Sequence, residues 1–203
     1  MPAQAPPPAS GTTAAPTRGD KRTAILDAAL ELFCEMTFEG APVPLIAERA
    51  NVGAGTIYRY FESKEALGNA VYQRWKGELK RRLVDDAPAR VTAREGFAHW
   101  WRTLWAFAIE HPQALAFCEN HYHAPYIDAQ SHAVGEGLHD GARAFMRAAQ
   151  RSGDVVRGDP DVLIALVMGA FKGLAKALQE AGKPPTPRLI NESEERVWEM
   201  LRA

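Results

Sequence analysis

The chain has 203 residues, 46% of them apolar, and 24 Lys/Arg against 25 Asp/Glu for a formal net charge of −1. That is apolar material enough for one large helical domain or two smaller ones, and bulk charge by itself points to no charged partner, so a nucleic-acid partner must be argued from local clustering. Two distant cysteines, Cys34 and Cys118, with no CxxC spacing exclude a disulfide framework. No apolar run approaches membrane-spanning length, and the N-terminus lacks the basic-then-apolar order of a signal peptide. The expectation is a soluble, cytoplasmic protein with no membrane partner and no cofactor.

Residues 1–17 are rich in Pro, Ala, Ser, Thr and Gly and carry no charged side chain. They read as a disordered arm, because they cannot bury enough apolar surface to offset ordering entropy. Helices follow throughout, with no period-2 strand flanked by hairpin turns. A first helix is predicted over 21–38, with Asp20 as N-cap, Ile25, Ala29, Leu32 and Met36 on its apolar face, and Gly40 as its stop. A short helix over 43–50 tolerates Pro44 in its first turn. After the break at Asn51–Gly53 comes a very short helix over 54–61. Ser63 caps a fourth, over 64–85, with Leu67, Val71, Trp75, Leu79 and Leu83 four apart.

Thr92 and Glu95 make a T-x-x-E capping box for a helix that ends near His111-Pro112. Helices are predicted over 113–122 and 126–151, the second closed by Gly153 and kinked by its interior Gly135, Gly137 and Gly141. Asp159-Pro160 and Thr186-Pro187 each pair an N-cap with an N1 proline, opening helices over 160–181 and 187–201. The fold class is all-α, with about nine helices.

The segment 43–61 has the plan of a helix-turn-helix, whose second helix enters the major groove. Gly53, Ala54 and Gly55 leave room for close backbone approach, and a helix start offers free N–H groups to phosphate. Thr56 has a hydroxyl, Tyr58 and Tyr60 have phenols suited to phosphate, Arg59 suits guanine or phosphate, and Lys64 supplies a point charge. Packing explains part of the same pattern. Ile57 and Phe61, four apart, read as core, Tyr58 is compatible with half-burial, and from periodicity alone a packing helix fits as well as a reading helix.

The string PLIAERANVGAGTIYRYFESKEAL, residues 44–67, resembles the DNA-binding motif of the TetR (tetracycline-repressor-like) family. Ile46, Ala47, Ala50, Val52, Gly53, Gly55, Thr56, Tyr58, Tyr60, Phe61, Ser63, Lys64 and Leu67 follow the family pattern in order and spacing. The resemblance covers about a quarter of the chain. It implies a helix-turn-helix domain over 18–66 joined to a ligand-binding and dimerisation domain over 67–203. The protein would then be a homodimeric DNA-binding regulator, a repressor released from a double-stranded operator by an unidentified small-molecule effector.

By that resemblance Thr56, Tyr58, Tyr60 and Lys64 are DNA contacts, Arg59 takes the variable base-reading slot, and Ala54 and Gly55 lie at the helix start. Some positions depart from the family pattern. Asn51 stands for the usual turn glycine, Pro42 for a Ser/Thr cap, and Pro44 and Leu45 for polar base-readers. Direct readout then leans on Arg59, with DNA shape contributing. Arg18, Lys21 and Arg22 suit either a basic arm reaching DNA or a solvated helix start.

The aromatic-rich stretch 97–126 makes a central helix of Phe97, Trp101, Leu104 and Trp105, followed by Phe117, Cys118, His121, Tyr122, His123 and Tyr126. Ligand sites are mostly apolar with a few polar groups, so Trp101, Trp105, Phe117, Cys118, His121, Tyr122 and Tyr126 are the candidate effector contacts, with ordinary core packing as the alternative. Cys118, His121 and His123 do not share a helical face and have no carboxylate at zinc spacing, so no metal is expected. The last two helices, which dimerise in the family, would supply Leu163, Leu166, Val167, Ala170, Leu174, Val197, Trp198 and Leu201, with Gly169 and Gly173 as a flat stripe. A second reading, an all-α enzyme or small-molecule-binding protein built on the 118–126 cluster, lacks a nucleophile, base and acid at convincing spacing.

Overall fold

The structure, a computed structural model, describes residues 18–89 and 91–203. The arm read over 1–17 lies outside the described residues. Among the described residues nine α-helices run in order: α1 Arg18–Gly40, α2 Val43–Arg49, α3 Ala54–Tyr60, α4 Lys64–Lys80, α5 Ala93–Glu110, α6 Pro112–Asn120, α7 Ala129–Ser152, α8 Pro160–Glu180 and α9 Pro187–Leu201. Among the described residues the only β pairing is an isolated bridge, Val155 with Arg202.

The caps read from sequence form as expected. Ser63 Oγ accepts from the Ala66 amide at 3.1 Å, and Thr92 with Glu95 forms the reciprocal box. Asp159 and Thr186 cap α8 and α9. Three local expectations fail. Asp20 lies inside α1 rather than capping it, and Met36 is exposed. The α1 path breaks at Thr37 (φ 67°, ψ 165°), which turns Phe38 back into the core. The glycines of α7 do not kink it: α7 is continuous, capped by Asp128, and its glycines are places of close approach.

That close approach organises the C-terminal half. α4 and α7 run side by side in the same direction, Asn69 beside Ser131, Tyr72 beside Gly135 and Val84 beside Gly141. A Cβ on Gly141 would lie 2.6 Å from Val84 Cγ2, so the two elements pack nearly backbone to side chain. Past Lys80, α4 widens into a π-helical turn, Arg81–Asp85, a form that often marks functional positions. Glu78 is held by Arg81 and Arg82, and Arg82 also binds Glu110 of α5 at 2.6 Å. Those guanidiniums hold the Glu78 carboxyl down at about 2.

α5 descends through the core, with Trp101 and Trp105 edge-on to Phe171 of α8. Buried Glu194 of α9 sits between Arg94 and Arg102 of α5, each at 2.7 Å, and fixes α9 on α5.

Candidate nucleic-acid interface and ligand cavity

α2 and α3 are joined by a tight turn in which Asn51 takes φ 52°, the left-handed conformation its short amide side chain tolerates. Arg49 pairs with Glu31 and Glu35 at 3.1 Å, Arg22 lies over the Phe61 ring at 5.4 Å, and Ile57 is buried, so α2 and α3 are pinned to α1. The other face of α3 points outward. Tyr58 is 57% exposed, Gly53, Ala54, Gly55 and Arg59 are exposed, and Thr56 and Tyr60 are half-buried. Arg59 has no hydrogen-bond or ion-pair partner among the described residues. A Cβ on Gly55 would meet nothing within 4 Å, so the protomer's own packing does not require a glycine there.

Lys64 differs from the other candidates. Its ammonium donates to the Glu39 carbonyl at 3.1 Å and sits 5.0 Å from the Phe38 ring, tying the end of α1 to the start of α4.

The residues singled out as effector contacts are not in the lining of the cavity described below: Phe117, His121 and Tyr126 pack with one another and with the end of α1, Tyr122 lies on α7, and Trp101 and Trp105 pack against α9 and α8. Phe117 stacks between Phe33 and His121, with centroids 5.8 and 4.3 Å away, and Tyr126 stacks on Phe38 at 3.9 Å. His121 Nδ1 and the Tyr126 hydroxyl are 2.6 Å apart. Burial lowers the His121 imidazole and raises the Tyr126 phenol. Cys118 is buried, its thiol pushed up to about 12, which makes it a poor nucleophile at neutral pH. Tyr122 lies over Gly135 and donates to Glu136 at 2.8 Å. Trp101 donates to Ser193 at 3.2 Å, and Trp105 packs on Phe171. The cluster is a seam between the N-terminal helices and the rest. Among the described residues no group of three His, Cys, Asp or Glu could hold a metal.

Sequence reading missed the polar staple beside that seam. Asn69, buried on α4, donates to the Tyr126 carbonyl at 2.7 Å and accepts from the Asp128 amide and Ser131 hydroxyl at 2.9 and 2.7 Å. Asn69 stands among Glu65, Gln73 and Lys76 at helical spacing, so nothing along the chain set it apart.

A cavity of about 560 Å³ lies at the far end of the molecule, between the π-helical turn, the start of α5, the second half of α7 and the start of α8. Small residues open it: Ala87, Ala93, Gly96, Ala142, Ala148 and Ala149. Leu83, Val84, Phe97, Trp100, Phe145, Met146, Ile164 and Val167 complete most of its wall, and Thr92, His99, Ser152 and Asp154 are its polar members. His99 Nε2 is buried with no hydrogen-bond partner among the described residues.

The dimerisation candidates divide. Leu163, Val167, Val197 and Leu201 are buried inside the protomer, Leu201 fully, because α8 and α9 turn one face each to the bundle. Their side chains pack within the chain's own core. Ala170, Leu174 and Trp198 are half-buried. The outward apolar face carries Leu166, 50% exposed, with Val162 and Met200. Gly169 and Gly173 have nothing within 4 Å of a built Cβ.

An exposed, basic-tipped second helix of a helix-turn-helix, set on an all-α bundle with an internal apolar cavity, defines a ligand-responsive DNA-binding regulator. Residues 25–71 match the model described as bacterial regulatory proteins of the tetR family, and residues 72–203 match the tetracyclin repressor-like C-terminal domain. The chain belongs to the TetR family.

It is 31% identical to the HTH-type transcriptional regulator RutR of Escherichia coli over 161 residues, 76% of this chain and 74% of that one. It is 35% identical over 74 residues to the fatty acid metabolism regulator protein of Bacillus subtilis, a match that spans 36% of this chain and only 38% of that relative. The crystal structure of FadR from Bacillus subtilis in complex with stearoyl-CoA superposes with a TM-score of 0.71 at 20% identity, covering 88% of this chain and 96% of that one. No helix among the described residues is long and apolar enough to cross a membrane.

Proposed function

We propose that this TetR-family regulator represses transcription by binding a palindromic operator as a homodimer, and leaves it when a small apolar molecule fills the α4–α5–α7–α8 cavity. The DNA-binding unit is 18–66, and 67–203 serves effector binding and dimerisation. One observation carries the reading. Gly55 and its neighbours present a side-chain-poor helix start to solvent beside exposed Tyr58 and Arg59, although a glycine in a helix costs roughly 1 kcal/mol against alanine and here gains no internal packing. Close approach by an external backbone accounts for that cost. Thr56, Tyr58 and Tyr60 hold phosphates, Ala54 and Gly55 lie against the groove, and Arg59 reads a base.

Dimerisation uses the outward face of α8 and α9, where Gly169 and Gly173 admit a second helix and Leu166, Val162 and Met200 are covered. The two α3 helices then stand about one DNA turn apart, roughly 34–36 Å. α4 connects the two activities: its start touches the α1 end through Lys64 and Phe38, and the π-helical turn after it lines the cavity through Leu83 and Val84. An occupant releases DNA only by its preference for the conformation with the wrong spacing. A switch from 1:99 to 99:1 needs about 10⁴-fold differential affinity. A neighbour of the same fold holds stearoyl-CoA, whose acyl chain is apolar although its coenzyme A part is charged.

The test is selection of binding sites from random duplex DNA with the purified protein. Enrichment of a palindrome with half-sites one turn apart is expected. Arg59→Ala should cost about 1–3 kcal/mol on that site and relax one position per half-site. A pool that never converges on a symmetric sequence would overturn the proposal.

A further inference from the structure

Four polar or charged residues are buried among the described residues, and three of them have partners. Asn69 and Ser131 bond to each other, and Glu194 lies between Arg94 and Arg102. The fourth, Lys76 of α4, is 5% exposed, and its ammonium has no hydrogen-bond or ion-pair partner among the described residues. The sequence places no Asp or Glu at 1–17 or at 90, so every side-chain carboxylate of the chain is among the described residues. Burying an ammonium without a counter-charge is strongly unfavourable, so the missing anion calls for a source outside the chain.

The surroundings of Lys76 supply a second donor. α4 and α7 run side by side, with Tyr72 against Gly135. One helical turn further on, Lys76 and His139 come to the same Tyr122 ring, the ammonium 5.9 Å and the imidazole 6.1 Å from its centroid. His139 is half-buried and makes no hydrogen bond to a described residue. Burial first, then the Lys76 charge, lowers its affinity for protons, so at neutral pH the ring is neutral and keeps one N–H to donate. The acids that act on His139 have other partners. Glu119 pairs with Lys172 of α8, and Glu136 accepts from the Tyr122 hydroxyl at 2.8 Å and faces Arg143 at 3.7 Å. Cys118, on which the Lys76 charge also acts, is a buried thiol that stays protonated. Unlike the sealed hydroxyl of Tyr72, the Lys76 ammonium keeps contact with solvent.

We infer that Lys76 and His139 form a site for one small monovalent anion, a chloride or a carboxylate group, seated between α4 and α7 beside Tyr122. The ammonium supplies the counter-charge and the imidazole a second hydrogen bond. A divalent anion such as phosphate brings more charge than one ammonium offsets. The site is separate from the α4–α5–α7–α8 cavity, whose lining contains none of these three residues, and it holds whether or not the operator reading does.

The experiment is thermal unfolding of the full-length protein in sodium chloride, acetate or phosphate, with bulky gluconate holding the ionic strength constant. Chloride and acetate should raise the midpoint in the manner of a single site, and phosphate should bind at least about tenfold more weakly than the better of the two. The tighter of chloride and acetate identifies the ligand as a halide or a carboxylate. Lys76→Met, which removes the charge and keeps the bulk, should weaken the anion response at least about tenfold. His139→Phe should weaken it about fivefold, and His139→Gln, which keeps an N–H donor, should recover most of the loss. Should Lys76→Met fail to fold, the two His139 variants carry the test. A wild type indifferent to small anions overturns the inference, as does an unaltered response in folded Lys76→Met or in His139→Phe. A response that appears only in Glu119→Gln also overturns it, because Glu119 then leaves Lys172 to serve Lys76.

Discussion

Gly141→Ala is the sharpest probe of how α7 meets the segment after α4. The added Cβ would lie 2.6 and 2.7 Å from the two Val84 γ-carbons and 3.2 Å from its Cβ. Valine has one side-chain torsion and a branched Cβ, so no rotamer removes all three contacts, and the π-helical turn itself must shift. Overpacking of this kind costs about 1–3 kcal/mol, and the helix preference of alanine over glycine returns about 1 kcal/mol. The net expectation is a loss of about 0–2 kcal/mol by urea unfolding. Val84→Ala alone removes half-buried methyls and should cost about 1 kcal/mol. Combining the two relieves the clash, so the double variant should be more stable than additivity predicts by at least about 1 kcal/mol. Both residues line the cavity, so Gly141→Ala should also alter effector response with operator affinity less affected. A Gly141→Ala protein more stable than the wild type by the full helix preference, or strictly additive changes in the double variant, would refute the close packing from which this follows.

Three further outcomes are expected. Leu166→Glu, at a position half-exposed in the protomer, should leave the helical signal intact and give monomers by sedimentation; persistent dimers would move the interface elsewhere. Lys64→Ala removes the bond to the Glu39 carbonyl and should lower stability by about 1 kcal/mol, while the log–log salt slope of DNA binding falls by about 1 per protomer; an unaltered slope would leave Lys64 with the structural role alone. Glu78 has its folded pKa depressed to about 2, chiefly by its hydrogen bond to Arg81, so its stabilisation is present above the unfolded carboxyl value near 4.3 and lost as pH falls towards about 2. Glu78→Gln should therefore cost about 1–2 kcal/mol at pH 7 and progressively less from pH 5 to pH 3 in urea titrations, and a pH-independent difference would contradict the ion-pair account.

Helix boundaries were legible wherever a cap announced them. Ser63, Thr92 with Glu95, Asp159 and Thr186 each did so through a side chain whose partner lies two or three residues away. Chemistry that depends on distant partners was not legible. Gly135 and Gly141 read as weak points of a helix, because sequence states that a side chain is missing but not which neighbour, Tyr72, Tyr122 or Val84, takes its place. The aromatic stretch read as a pocket, yet large rings fill space, and Phe117, His121 and Tyr126 close against Phe33 and Phe38. The cavity opens instead where alanines and glycines of different helices face one another, a coincidence invisible along the chain. On α8 the apolar positions were found but not their sides, since a helix apolar nearly all round gives its period no phase; Val167 turned inward and Leu166 outward.

The seam around Tyr126 joins the DNA-binding helices to the rest of the bundle. Tyr126 touches three parts at once: its ring stacks on Phe38 at the end of α1, its carbonyl accepts from Asn69 of α4, and its hydroxyl meets His121 beyond α6. Gly68 of α4 is crowded by the same two rings, Phe38 at 2.8 Å and Tyr126 at 2.9 Å from a built Cβ. The start of α4 is thus clamped to the DNA-binding helices, and Arg74 binds Asp27 of α1 at 2.8 Å one turn further on. At the other end the π-helical turn packs on α7 with Val84 against Gly141, beside the cavity, and is tied to α5 by the Arg82–Glu110 pair. A helix tied to α1 at one end and bordering the cavity at the other would turn a displacement of its cavity end into rotation of what the first end carries, here α1 to α3. On the proposed function such coupling would need no chain of side-chain rearrangements between the sites, only a rigid α4 with two seats at its cavity end, and the Val84–Gly141 contact is where Gly141→Ala would perturb it.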